Sequence, residues 1–421
     1  MNFYLGIDFG TSGTRAVVID EQEKIKAETQ YSFELSATNQ QTAANWQKTL
    51  FTLIEQIKLE IREQIKAIAI NGTSSTVLLC NAKGEPIAEP ILYNDGRAIA
   101  VKEKLKVIAP PNHVVLSATS SLAKLLWLME NRQSSLENCH FLHQADWLAF
   151  LLHGKLGISD YHNALKLGYD TQNLCYPDWL QRLPALPKLP QVFAPGTPIR
   201  EVTSEIAHNL GLPADCLIYT GTTDSIAAFL ASGAKNPGEA VTSLGSTLVL
   251  KLLSQTRVED SRYGIYSHRL GDLWLTGGAS NTGGAVLRHF FSDAELEKIS
   301  NQIDAQQESP LGYYPLLQPG ERFPINDPHL APQLEPQPAN SVEFLHGLLE
   351  SMARIEARGY QLLQQLGANK LTHVYTAGGG AKNPTWTTIR ERHLQVSVMP
   401  SRFTDAAYGT ALLAKKDKGT W

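Results

Sequence analysis

Two apolar patterns alternate along this chain, and that alternation constrains its fold more than its composition does. Tyr4 to Ile7 and Ala16 to Ile19 are short, partly β-branched runs flanking the polar tip Asp8-Phe9-Gly10-Thr11-Ser12-Gly13-Thr14-Arg15. They read as strand, tight turn and strand. Trp46, Leu50, Leu53, Ile54 and Ile57 then recur at helical spacing, and Ala67 to Ile70 reads as a buried strand ending at Asn71-Gly72-Thr73-Ser74-Ser75. Strands alternating with helices predict an α/β chain. Its 421 residues exceed what one hydrophobic core absorbs, so two domains of roughly 200 residues each are expected.

The same grammar returns farther on. Leu217 to Thr220 reads as a strand, Gly221-Thr222-Thr223-Asp224 as a turn, and Ser225 to Ala231 as the start of a helix. Ser232-Gly233-Ala234-Lys235-Asn236-Pro237-Gly238 has the Gly and Pro content of a domain junction. A second hairpin follows, Ala240 to Thr242 leading through Ser243-Leu244-Gly245-Ser246-Thr247 to Leu248-Leu252, and its tip echoes Gly10-Thr11-Ser12. The echo is too short to establish a duplication, since turns favour Gly, Ser and Thr anyway. Glu308 to Asn340, rich in Pro, Gln and Asn, reads as a long surface loop or edge element, and Phe344 to Ile355 as a long helix. Leu371 to Thr376 reads as a strand entering Ala377-Gly378-Gly379-Gly380. Asn383 is a good N-cap for a helix from Pro384 to about Leu394, and Asp405 to Ala414 forms a last helix.

Charge and cysteine usage exclude several roles. Lys plus Arg is 37 against 41 for Asp plus Glu, a net charge of −4, with no basic tail to hold a nucleic-acid backbone. Cys80, Cys139, Cys175 and Cys216 stand singly, without a Cys-x-x-Cys pair, which fits neither a disulfide framework nor a thiolate zinc site. No apolar run approaches the roughly 20 residues that span a bilayer, and the acidic Asp8 comes early for a signal sequence. A cytoplasmic protein without nucleic-acid or membrane partners is expected.

Three turns could carry phosphate chemistry: Gly10 to Gly13, Gly245 to Thr247 and Gly378 to Gly380. Bare glycine amides flanked by hydroxyls form an anion-binding concavity. Asp8, at a strand end beside the first turn, reads as a magnesium ligand or as an Asx-turn residue. Asp224 opens a helix, where Asp is a routine N-cap. Two carboxylates with several phosphate-cradling turns suggest phosphoryl transfer, one Asp accepting the nucleophile's proton. No Walker A sequence and no complete G-x-G-x-x-G occur, which removes the P-loop and dinucleotide readings. His140 and His143 could face together on a helix but lack further zinc ligands, and Lys124 to Met129 reads as a buried amphipathic helix.

In their order along one chain, these residues resemble the FGGY carbohydrate kinases. The resemblance runs through Gly6-Ile7-Asp8-Phe9-Gly10-Thr11-Ser12, Tyr93-Asn94-Asp95-Gly96-Arg97-Ala98, Lys124-Leu125-Leu126-Trp127, Pro195-Gly196-Thr197 and Gly221-Thr222-Thr223-Asp224. It continues through Ser243-Leu244-Gly245-Ser246-Thr247, Gly320 to Pro324, Ala377 to Gly380 and Ala406 to Ala411. It implies a two-lobed actin/Hsp70/hexokinase-like, ribonuclease H-like ATPase fold with an interlobe cleft. Residues 1–231 plus 405–421 would form a sugar-binding lobe, and 232–404 a nucleotide-binding lobe. Sugar, ATP and Mg2+ would be the partners of a monomer or homodimer.

By the same resemblance Asp224 is the general base and contacts the sugar. Asp8 helps hold magnesium and borders substrate, and Thr11 meets the transferred phosphoryl group with Gly10 and Ser12. Gly245 and Ser246 approach the nucleotide phosphates. Gly379, Gly380, Asn383 and Trp386 border adenosine, with Trp386 as an apolar wall for the base. The Arg-Glu pair of glycerol kinases and the His-Gly of xylulokinases are both missing from Asn71-Gly72-Thr73-Ser74-Ser75-Thr76. That loop looks more like the small-residue loop of D-ribulokinases, and the short chain resembles a cyanobacterial and plant xylulose kinase-like branch. Ser74 is the expected sugar contact and D-ribulose the expected substrate. D-xylulose, a pentitol, or a non-catalytic sugar sensor on the same fold are the alternatives. Tyr93 stands where the family usually has Trp, and the region from Lys251 to Ser341 is compact for it.

Overall fold

The computed structural model describes residues 1–33, 41–132 and 136–415. They form two compact units, one of Met1–Ala231 rejoined by the chain from Asp405 onward, the other of Ser232–Thr404. Residues 416–421 of the expected sugar-binding lobe lie outside the described residues.

The first unit contains β1 (Phe3–Phe9), β2 (Gly13–Ile19), β3 (Ile25–Ser32), β4 (Ile65–Gly72), β5 (Val77–Cys80) and β6 (His140–His143). It also holds β7 (Ile158–Asp160), β8 (Gln191–Phe193), β9 (Pro198–Glu201), β10 (Leu217–Tyr219) and β11 (Thr222–Thr223). Its main sheet runs β3-β2-β1-β4-β10-β9, with β11 also on β4. β1 is antiparallel to β2, whereas β1, β10 and β11 are all parallel to β4. A parallel strand buried on both faces needs continuous apolar sequence, and β4 supplies it in Ala67, Ile68, Ala69 and Ile70. The helix Ala43–Glu55, capped by the Thr42 side chain, buries Trp46, Leu50, Leu53 and Ile54 in the same core. The returning helix Ala406–Lys415 lies so close to β1 that a Cβ on Gly6 would sit 2.1 Å from the Ala407 carbonyl oxygen.

The second unit holds β12 (Glu239–Leu244), β13 (Leu248–Ser254), β14 (Tyr266–Leu270), β15 (Leu273–Ser280), β16 (His373–Ala377) and β17 (Ser397–Pro400). They form one mixed sheet in the order β14-β15-β13-β12-β16-β17. The 25-residue helix Ser341–Gln365 packs Phe344, Leu345, Leu348, Leu349 and Met352 into this unit's core. Buried Glu356 on that helix accepts from Arg390 Nε at 2.6 Å and Nη2 at 2.7 Å. Arg390 Nη1 also donates to Thr376 Oγ1 at 2.7 Å, so one ion pair pins two helices to β16.

Several expectations are corrected. His140 and His143 lie on β6, not on a helix, because pairing with β5 outweighs the i, i+3 spacing. Thr222 and Thr223 form a short strand on β4 where a turn is expected. The stretch 308–340 has no helix or long strand, yet Tyr313, Tyr314, Leu316 and Phe323 are buried in the core. Its first half is an irregular wall of the core, while residues 325–340 stay exposed or half-buried as a surface loop. Among the described residues no helix is long and apolar enough to cross a membrane.

Candidate active site

Sheet register brings the first unit's carboxylates to one edge. Asp8 of β1 stands opposite Asn71 of β4, and Asn71 stands opposite Thr222 of β11. All three strands are parallel, so these are carboxyl-end positions, where α/β sheets place ligands. Asp224 follows two residues later at the start of the helix Asp224–Ser232. Its Oδ1 accepts from the Ser225 amide at 2.7 Å. A first-turn position in a helix and a place at the sheet edge therefore coexist in Asp224.

Asp8 is electrostatically loaded. Burial, then the carboxylates of Asp224 and Asp405, push it up to about 7, while Arg15 and a hydrogen bond from Asn71 pull the other way. Among the described residues its buried Oδ1 has no hydrogen-bond partner, and neither does Asn71 Oδ1. Asn71 Nδ2 donates to Thr410 Oγ1 at 2.6 Å, and Arg15 Nη1 pairs with Asp405 Oδ2 at 3.0 Å. A buried unpartnered carboxylate oxygen is costly unless a cation or donor arrives, so Asp8 fits a divalent metal. Among the described residues no group of three His, Cys, Asp or Glu side chains could hold a metal. A cation at Asp8 would therefore complete its shell with phosphate oxygens and water.

Beside this edge lies the loop after β4. Thr76 N–H bonds to the Thr73 carbonyl, closing a tight turn, and Gln144 Oε1 accepts from Thr73 N–H at 3.2 Å. Ser74 is half-buried. Ser75 is 2% exposed, has φ 66°, and its hydroxyl has no partner among the described residues. The turn thus presents a second serine with an unused hydroxyl, which composition alone does not distinguish from Ser74. Behind Thr222, His162 Nδ1 meets Thr222 Oγ1 at 2.7 Å, and Asp160 caps the turn carrying His162. Burial, then the Asp146 charge, pushes Asp160 up to about 7.

In the first hairpin, Gly10 N–H bonds to the Gly13 carbonyl at 3.0 Å, closing the tip that carries Thr11 and Ser12. Gln41 donates to the Thr11 carbonyl.

The second unit gathers three glycine-containing turns. Gly284 N–H bonds to the Gly245 carbonyl at 2.9 Å, and Ala285 N–H to that of Ser246 at 3.1 Å. A Cβ on Gly378 would lie 2.6 Å from the Leu244 carbonyl oxygen. Gly379 is exposed and has nothing within 4 Å of its Cβ position. The result is bare backbone lined by Gly245, Ser246 and Gly379. Asn383 Oδ1 caps the helix Pro384–Leu394 at the Trp386 amide, 3.0 Å away, and its Nδ2 donates to Ser300 Oγ at 2.8 Å. Trp386 needs correction as an open wall for a base. It is 2% exposed within the core, and a Cβ on Gly380 would lie 2.7 Å from its ring. The ring supports the glycine turn from beneath.

Sequence reasoning missed several residues here. Gly283 and Gly284 follow a strand and open the helix Gly284–Phe290, a strand-glycine-helix signal that could have been read. Arg288, whose Nη2 reaches Ser246 Oγ at 3.3 Å, Asn71 and Asp405 carry no such local signal.

The chain matches the description "FGGY family of carbohydrate kinases, N-terminal domain" over residues 3–231, and the C-terminal domain of the same description over 240–416. It is 23% identical to the xylulose kinase of Bacillus subtilis (strain 168), covering 100% of this chain and 89% of that one. A xyloylose kinase structure from Brucella ovis superposes with TM-score 0.84 at 23% identity, covering 98% of this chain and 90% of that one. Plasmodium falciparum glycerol kinase with ADP superposes with TM-score 0.85 at 17% identity, covering 98% of this chain and 89% of that one. At such identities the structural likeness carries the fold alone.

Proposed function

We propose that this chain, which belongs to the FGGY family of carbohydrate kinases, transfers the γ-phosphoryl group of ATP to a hydroxyl of a ketopentose, D-ribulose first. The observation that carries the reading is the pair of carboxylates at one sheet edge, with Asp8 pushed up to about 7 partly by Asp224. Asp224 would accept the proton of the attacking sugar hydroxyl, which is a general-base role.

Asp8 would hold Mg2+, which when bound with ATP offsets the charge of the transferring phosphoryl group. Thr11, with Gly10 and Ser12, would meet that group through hydroxyl and amide donors. Gly245, Gly379 and Gly380 would present backbone bare of Cβ to the nucleotide, with the Ser246 hydroxyl beside them. Asn383 would act by holding the glycine turn in place.

Ser74 and Ser75 would leave room for a five-carbon chain and offer hydroxyls to it. D-xylulose is the second reading, supported by relatives described as xylulose kinases. The test is coupled ADP release across pentuloses and pentitols with ATP and Mg2+, with the product identified by mass spectrometry. A phosphorylated pentulose supports the proposal, the faster of the two ketoses decides the substrate, and sugar binding without product rejects it.

A further inference from the structure

Lys124 is a lysine that ordinary packing does not explain. It lies on the helix Ser121–Asn131 and is 0% exposed, where a lysine is almost never found unless its charge is compensated. Among the described residues no carboxylate forms a salt bridge with it. Its ammonium donates instead to two backbone carbonyls, Ser75 at 2.7 Å and Leu92 at 2.6 Å. Burial pushes it down to about 7 while Asp95 pulls it up.

The two acceptors belong to different loops. Ser75 sits in the turn after β4, and Leu92 precedes the turn Tyr93-Asn94-Asp95-Gly96-Arg97. A second stitch joins the same loops, because Thr76 Oγ1 accepts from the Tyr93 amide at 3.0 Å. Ser75 also needs holding. Its φ of 66° is left-handed, a region that L residues with a Cβ enter at a cost. Turning that peptide back would withdraw the carbonyl from Lys124 and move the unpartnered Ser75 hydroxyl.

We propose that Lys124 is a positioning residue for sugar recognition, its ammonium fixing the Ser75 turn to the Leu92 segment so that the Ser75 hydroxyl is aimed for substrate. The inference rests on the proposed kinase reading, in which this turn meets the sugar. Lys124 touches no reacting atom. Its contribution is pre-organisation of a first contact, and misplacing such a contact by about 1 Å can cost on the order of a hundredfold.

The test is steady-state kinetics of Lys124→Met, which keeps the aliphatic stem and removes the donor. The KM for the accepted pentulose should rise about tenfold or more, while the KM for ATP stays within about twofold. A purely structural role would lower the active fraction, and thus kcat, and leave both KM values where they were. Thr76→Val cuts the second stitch, together with the Thr76 hydroxyl's bond to the Thr73 hydroxyl in the same turn, with little change in volume, and should raise the sugar KM severalfold in the same direction. If Lys124→Met does not fold, Thr76→Val decides. An unmoved sugar KM, or equal rises for sugar and ATP, overturns the inference while a working wild type leaves the kinase reading intact. A wild type that phosphorylates no sugar overturns the kinase reading and this inference with it.

Discussion

The two units share a sheet plan and use its equivalent positions differently. In the first, β3-β2-β1-β4-β10 are antiparallel through β1 and parallel thereafter, and β15-β13-β12-β16-β17 repeat that order and sense in the second. Each first hairpin turns at Gly followed by two hydroxyl residues, Gly10-Thr11-Ser12 and Gly245-Ser246-Thr247. Two residues before the glycine, however, stand Asp8 in one and Ser243 in the other. Their partners on the next strand are Asn71 and Ala377. One edge carries a carboxylate, and the equivalent edge is neutral. The difference teaches that a repeated scaffold is specialised by one or two side chains at strand ends, where exchange does not disturb the ladder.

The strongest way to break that contrast is Asp224→Ala. It should lower turnover about a thousandfold or more, while the loss of the Ser225 amide contact costs only about 1 kcal/mol of stability. ADP release and thermal unfolding measure the two, and sugar-dependent turnover within tenfold of wild type would remove the assigned base. In the second unit the buried charges are structural. Arg390→Met strands Glu356 and should destabilise that unit by about 3–5 kcal/mol, seen as an earlier calorimetric transition. A single unshifted transition would contradict this.

Asp8→Asn should separate function from stability. Asp8 titrates near 7 when folded against 3.8 as a free side chain, so the folded protein binds the extra proton between those values. Stability therefore falls as pH rises through that window. Removing the charge should stabilise the ligand-free protein by about 2–4 kcal/mol at pH 8 and by much less at pH 4, while turnover is lost. Denaturant melts at both pH values check the sign. The smallest effect concerns Gly379→Ala. Its Cβ meets nothing within 4 Å, so stability should stay within about 0.5 kcal/mol. The KM for ATP should nonetheless rise severalfold, and an unchanged value would take Gly379 out of the nucleotide site.

Much of this was legible residue by residue. The helix Pro384–Leu394 begins where Asn383 and Pro384 predict, because capping is chemistry among neighbours. The hairpins at β1-β2 and β12-β13 follow the same logic. His140 and His143 misled because a four-residue stretch cannot reveal that β5 will pair with it. The choice between Ser74 and Ser75 was equally closed to inspection, since turn position rather than residue type buries the second hydroxyl.

The amino-acid order alone determined the α/β alternation, the glycine turns and the acids beside them, because each depends on side chains within a few positions of one another. Only the tertiary structure decided that Asp8, Asn71 and Thr222 share one row, that Trp386 supports its turn from within, and that Lys124 is spent on two distant carbonyls. Burial and charge at a site sum over segments far apart in the chain. No local stretch of sequence contains that sum.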